Sequence, residues 1–308
     1  MRRILFNQEE SRPRSGLRIL GFLVIFWLLA SAIFAVKPLF DPIGKREFIS
    51  DYSLLIIAIL AAAASIAVLV SRKWLDKKSV RSLGLYTDKW SPRDLIFGFA
   101  LSAAMAGTFF VTLVVLGLVQ YDGMNLEDFN PDAAFPALMR STTYFSLSLL
   151  LLETILVGYW EELVFRGYLL QNMAEGMGWK LAVVVSCVLY GLIHASNPNA
   201  GLLSTAIIMC FGFLRIYGYL LTKSLWLSMG MHIGWNFFQG PIFGFAASGH
   251  QTATLIQHDV VSSSTYLTGG DFGPEASLLI LPILGLALWS MKQYRGGQMA
   301  RAQFATTA

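Results

Sequence analysis

Charge is what this sequence has least of. Of its 308 residues, 14% are Asp, Glu, Lys or Arg and 55% are apolar, whereas soluble domains carry about 25% charged residues. With a mean hydropathy of +0.58, that deficit excludes an ordinary soluble domain and indicates an integral membrane protein. Cysteine is nearly absent as well. Cys187 and Cys210 are the only two and both fall in apolar runs, so neither a disulfide framework nor a thiolate metal site is expected. The net charge of +4 comes from flanking segments, which fits membrane topology and gives no reason to expect a nucleic-acid partner. Strict alternation is missing too: a membrane β-barrel would alternate apolar and polar residues over about 10 positions, and here the apolar residues come in long runs.

The fold class expected is therefore all-α, a polytopic transmembrane helical bundle. Apolar stretches of about 17 to 25 residues give eight spans, at 19–36, 52–71, 95–120, 141–171, 180–196, 201–222, 224–245 and 276–291. Arg2, Arg3, Arg12, Arg14 and Arg18 precede the first run, as they would in a signal peptide. That run is followed by Lys37 and Pro38 rather than a small-residue cleavage site, so it reads as a retained helix. With the N-terminus in the cytoplasm, 17 Lys and Arg residues fall inside and four (Lys37, Lys45, Arg46, Arg140) outside. The positive-inside rule then puts both termini in the cytoplasm of what is expected to be a prokaryotic cell membrane. The expected organisation is N-terminal helices and a basic cytoplasmic loop over 1–140, a core over 141–245, and an outer loop, last helix and tail over 246–308. No internal repeat is found. Within the last part, 246–275 is rich in Ser, Thr and Gly and reads as a loop.

Polar groups inside these runs carry the functional signal, because an ionisable side chain at bilayer depth costs at least about 2.5–3.5 kcal/mol and needs a partner or a task. Glu153, Glu161, Glu162, Arg166, His194, Arg215 and His232 all qualify. In "YWEELVFRGYLL", Glu162 and Arg166 are four apart and share a helix face, which suits an ion pair. Glu161 is rotated by about 100° and is left without that partner. A lone set of this kind fits a purely structural network equally well. Glu153 lies about 12 Å further along the same helix, with no partner suggested by spacing.

Two more elements join it. "MAEGMGWK" permits a tight antiparallel return centred near 177.5, so that Glu161 and His194, each about 16 to 17 residues away, are expected to face each other across the hairpin. In "GMHIGWNFF", His232 and Asn236 are four apart, flanked by Gly230 and Gly234, which permit a close neighbour. On its own each element is as well explained by packing or an interhelical hydrogen bond. Together a carboxylate, two imidazoles and a carboxamide at similar depth supply a base for water and donors for a developing oxyanion. No Ser or Cys sits at a matching position next to a histidine: Ser186 and Cys187, in the same span as His194, lie at least a turn away from it, so a covalent acyl-enzyme is the weaker reading.

These residues resemble the CPBP intramembrane proteases, also called the Abi or CAAX-protease family, which include the type II CAAX prenyl endopeptidases. The resemblance covers about 159–238 and rests on EExxxR (Glu161, Glu162, Arg166), an aromatic-xxx-His (Tyr190, His194) and HxxxN (His232, Asn236) on successive helices. Tyr190 stands where the family usually has Phe, which keeps an aromatic wall and adds a hydroxyl that needs a partner. The resemblance implies that Glu161 activates water with help from His194, that His232 and Asn236 hold the oxyanion, and that Glu162 and Arg166 orient the site. It also admits a zinc-bound version held by Glu161, His194 and His232. The metal-free version is preferred, because no HExxH-type spacing occurs and Asn is a poor zinc ligand but a good oxyanion donor.

The function expected is an intramembrane endopeptidase acting on a peptide or membrane-protein substrate, prenylated or not, in CAAX-type or other C-terminal processing. The competing expectation is a non-catalytic immunity or scaffold protein that binds a peptide or partner in the same cavity. Arg215 is expected to pair with Glu162 or a lipid headgroup, with a substrate carboxylate as a further candidate. His250 and His258 are expected to be solvated loop residues.

Overall fold

In the computed structural model, residues 6–7, 11–31, 53–125 and 143–294 are described. Helices dominate. In chain order they are α1 (Ser15–Ala30), α2 (Ser53–Val70, continued by a π turn at Ser71–Leu75), α3 (Ser91–Val115), α4 (Thr143–Glu162), a π-helical segment at Leu163–Leu169, and α5 (Leu170–Met177). Then come α6 (Trp179–His194), α7 (Leu202–Thr222), α8 (Trp226–Phe237, continued by a π turn at Phe238–Ile242), the short α9 (Thr265–Thr268) and α10 (Ile280–Gln293). Two small antiparallel ladders pair β1 (Phe6–Asn7) with β2 (Arg12–Pro13) and β3 (Val119–Met124) with β4 (Ile256–Val260).

Each apolar stretch of the sequence holds a helix, but eight crossing helices are not supported. Among the described residues, three helices are long and apolar enough to cross a bilayer: Leu54–Leu75, Ser91–Val115 and Leu202–Thr222. Helices α1, α6 and α10 are apolar but have 16, 16 and 14 residues, fewer than the roughly 20 that span about 30 Å at 1.5 Å per residue. Helix α4 carries Glu153, Glu161 and Glu162, and α8 has 12 residues. The third stretch stops short of 120, because Gly117 turns the chain with φ of +66° and β3 begins at Val119. Residues 32–36 and 141–142 of two expected spans, Lys37, Lys45, Arg46 and Arg140 of the outer count, and Arg2, Arg3, Arg295 and Arg301 of the inner one lie outside the described residues.

Helix α8 is the centre of the packing, buried continuously from Leu227 to Trp235. It meets α3 almost backbone to backbone. A Cβ on Gly98 would lie 2.5 Å from the Leu227 carbonyl oxygen, one on Gly234 would lie 2.7 Å from that of Phe99, and one on Gly230 would run into that of Leu95. Such small-residue contacts are how helices gain packing where lipid offers no hydrophobic drive. Ser102 adds a hydrogen bond to the Met231 carbonyl at 2.7 Å. On its other side α8 lies against Gly158 of α4, where a Cβ would sit 2.6 Å from Cγ1 of Ile233. The site histidine is thereby held beside the site glutamates.

The hairpin between α5 and α6 turns at Gly178, whose φ of +81° suits glycine. At this end a buried ionic cluster ties α1 to α2 and α5. Asp76, fully buried, accepts from Arg18 at 3.1 Å, Arg72 at 2.7 Å and Asn172 at 3.2 Å. Glu175 accepts from Arg18 at 2.8 Å, pairs with Arg12 at 3.1 Å and also binds Lys78. Burial opposes ionisation of Glu175, but the bonds from Lys78 and Arg18 outweigh it and hold its carboxyl at about 2.

At the opposite end, the segment expected to be a plain loop is built. Its strand β4 pairs with β3, Leu255 donates to the Pro241 carbonyl at 2.8 Å, and Gly249 donates to that of Phe272 at 3.0 Å. Buried Glu275 fastens it to α8, accepting from Trp235 Nε1 at 2.9 Å and from the Ser248 N–H and hydroxyl at 2.8 and 2.6 Å. His250 is exposed, as expected, whereas His258 packs against the rings of Phe110 and Phe245.

Candidate active site

The last turn of α4 presents two adjacent carboxylates, and their surroundings differ. Glu162 has no exposed surface; its Oε1 accepts from Arg166 at 3.0 Å and lies 2.9 Å from Nδ1 of His232. Arg166 also donates to the Gly212 carbonyl at 3.2 Å, tying α7 to the pair. Glu161 keeps 13% of its side chain exposed. Its Oε2 accepts from the Tyr190 hydroxyl at 3.0 Å and lies 3.7 Å from Nε2 of His232, too far for a hydrogen bond.

Hydrogen-bond logic fixes the tautomers. Nδ1 of His194 is 2.8 Å from the Tyr190 backbone carbonyl, which can only accept, so Nδ1 carries the proton and the neutral ring leaves a lone pair on Nε2. Nδ1 of His232 faces a carboxylate oxygen already held by Arg166 and carries a proton for the same reason. Asn236 follows His232 by one turn of α8; it is half-buried and its carboxamide makes no hydrogen bond to a described residue.

The partner of Glu161 across the α5/α6 hairpin is thus Tyr190 rather than His194. The sequence count assumed 1.5 Å per residue throughout. The π-helical Leu163–Leu169, with i to i+5 bonding, packs more residues into each turn and brings Glu161 nearer the hairpin than that count allows. The long Tyr190 side chain, one turn nearer the hairpin than His194, makes the contact. His194 stacks obliquely on the Tyr190 ring, with centroids 4.5 Å apart.

Arg215, expected to pair with Glu162, a headgroup or a substrate carboxylate, is 3% exposed and donates from Nη1 to the Tyr190 hydroxyl at 2.5 Å. The extra hydroxyl was the available signal: a buried phenol needs an acceptor and a donor, and an unexplained Arg and an unpaired Glu were on offer. Glu153 is half-buried two turns earlier on α4. His232 has its two nitrogens directed at two different carboxylates, and among the described residues no three His, Cys, Asp or Glu side chains are grouped to hold a metal ion.

Residues 143–238, which contain all of these groups, match the family model described as type II CAAX prenyl endopeptidase Rce1-like. The chain is 26% identical over 182 residues to "Putative membrane peptidase YdiL" of Bacillus subtilis (strain 168), covering 57% of this chain and 66% of that protein. It is 27% identical over 176 residues to "Uncharacterized protein YyaK" of the same organism, covering 54% and 53%. The chain thus spans between half and two thirds of the length of these curated relatives. Over residues 143–238, with their paired glutamates, two histidines and asparagine on successive helices, the chain is thus similar to the type II CAAX prenyl endopeptidase Rce1-like family, which supports the expected likeness to the CPBP (Abi) proteases.

Proposed function

We propose that the protein is an intramembrane endopeptidase that hydrolyses a peptide bond with water activated by Glu161, without a metal. The observation that carries this reading is the unequal treatment of two adjacent carboxylates. Glu162 is sealed and neutralised by Arg166 and His232, while Glu161 is partly exposed and holds a single hydrogen bond among the described residues.

In the reaction, Glu161 takes a proton from water while the water oxygen attacks the scissile carbonyl, with the lone pair of His194 Nε2 available to orient that water. The carboxamide of Asn236 donates to the oxyanion, and His232, its Nδ1 proton directed at Glu162, holds the two helices in register beside it. Collapse of the tetrahedral intermediate breaks the C–N bond, and Glu161 returns its proton to the leaving amine. Buried charges balance, since Glu161 and Glu162 face Arg166 and Arg215. The substrate class is a membrane-associated peptide or protein tail cut near its C-terminus, as in CAAX-type processing, with both termini of the enzyme in the cytoplasm.

The test is cleavage of quenched peptides, with and without a C-terminal prenyl group, by the purified protein in liposomes. Expected are cleavage by the wild type, its loss in Glu161→Gln, and its persistence under chelator. A folded wild type that binds peptides but cuts none would favour the immunity or scaffold reading instead.

A further inference from the structure

The candidate base Glu161 is positioned by one contact, and that contact has a cation behind it. The Tyr190 hydroxyl is the single hydrogen-bond donor to Glu161 among the described residues, at 3.0 Å on Oε2. The same hydroxyl accepts from Arg215 Nη1 at 2.5 Å. Direction is fixed by chemistry: a guanidinium can only donate, an ionised carboxylate can only accept, and only a hydroxyl can do both. The order Arg215, Tyr190, Glu161 is the one arrangement that satisfies all three.

Two features show that this is more than packing. Glu162 meets its guanidinium directly, at 3.0 Å from Arg166, whereas Glu161 meets Arg215 through a hydroxyl, which keeps a cation near the carboxylate without locking it in a direct ion pair. The ring that carries the hydroxyl is also clamped. Tyr190 is 2% exposed, with the Arg166 guanidinium 4.4 Å from its ring centre, Phe165 edge-on at 5.1 Å and His194 at 4.5 Å. A buried guanidinium needs compensation, and Arg215 finds its side-chain hydrogen bond in Tyr190.

We propose that Tyr190 and Arg215 act together as positioning residues: a relay from α7 through α6 to α4 that fixes Oε2 of Glu161 and leaves Oε1 for the water. This rests on the role proposed for Glu161. A carboxylate free to swing toward His232 Nε2, 3.7 Å away, would lose its alignment, and misplacement on the order of 1 Å costs about 100-fold in rate.

The experiment is a double-mutant cycle with Tyr190→Phe, Arg215→Met and both together, with Arg215→Lys as the conservative variant. Expected is a fall in kcat of about 10- to 100-fold in each single variant with KM changed little. The double variant should be no worse than the poorer single one, because both act along one path, and Arg215→Lys should recover part of the loss. Losses that multiply, that reside in KM, or that are absent would overturn the relay. A readout independent of turnover accompanies it: the infrared carboxylate band of Glu161, assigned by its disappearance in Glu161→Gln, should shift in Tyr190→Phe and in Arg215→Met. An unmoved band in folded Tyr190→Phe overturns the relay even if Arg215→Met fails to fold. A band that moves in a protein that cuts nothing would leave the relay standing and count against the peptidase reading.

Discussion

His232 presents Nδ1 to Glu162 at 2.9 Å and Nε2 toward Glu161 at 3.7 Å, so one imidazole on α8 stands between two consecutive carboxylates of α4. Consecutive helical residues diverge by about 100°, and a ring inserted between them can approach both. The short contact holds the ring in place. The long one leaves Glu161 without a hydrogen bond to the ring.

Replacing either glutamate by glutamine should therefore give opposite phenotypes. Glu161→Gln removes the proposed base and should cost at least about 100- to 10,000-fold in kcat with a smaller loss of thermal stability than Glu162→Gln, since its carboxylate meets Arg215 only through the Tyr190 hydroxyl. Glu162→Gln leaves Arg166 buried without its counter-charge and should cost roughly 3–5 kcal/mol of stability. Paired cleavage and unfolding measurements on the two variants decide it; a stability loss in Glu161→Gln matching that of Glu162→Gln would make both glutamates structural.

Asn236 gives the complementary case. Its carboxamide makes no hydrogen bond to a described residue, so Asn236→Ala should unfold at nearly the wild-type temperature. If it donates to the oxyanion, kcat should fall by about 100- to 1,000-fold. Unchanged turnover would remove it from the reaction.

The motif residues were legible because helical spacing puts Glu162 with Arg166 and His232 with Asn236 on common faces before any fold is known. Depth along the hairpin was less so. The exchange of His194 for Tyr190 as partner of Glu161 follows from a π-helical segment whose hydrogen-bond register leaves no mark in composition. Hydropathy located the helices but overstated their length, since apolar runs continue past helix ends into turns such as that at Gly117. Long-range polar pairs were invisible: Asp76 with Arg18 and Glu275 with Trp235 join residues 58 and 40 apart, and both acids stood in segments that read as loops.

Glu275 makes a prediction of its own. It holds three donors, from Trp235 and Ser248, and joins the 246–277 segment to the helix that carries His232 and Asn236. In Glu275→Ala these donors lose a buried charged acceptor, each such bond being worth about 1.5–3 kcal/mol. The segment should become sensitive to limited proteolysis, and turnover should fall as the end of α8 loosens. Protease resistance equal to wild type would show that β3 and β4 pairing alone holds the segment.

The ionic cluster around Glu175 sets an acid limit on stability. Its carboxyl titrates at about 2 in the folded protein, below the ordinary value of about 4.3 that the unfolded chain would show. A depressed folded value means the unfolded state binds the proton first as pH falls. The stabilisation is complete above about 4.5 and is withdrawn as pH falls through the folded value near 2. Glu175→Gln should accordingly unfold at a lower temperature than wild type by a constant margin at pH 5 to 7. That margin should narrow between pH 4.5 and 2, because the wild-type carboxyl there becomes as neutral as the amide. The partial exposure of Glu175 and its salt-screened partners make the margin modest. A pH series of paired unfolding curves measures it, and a margin that stays constant down to pH 2.5 would mean that Glu175 acts through packing rather than charge.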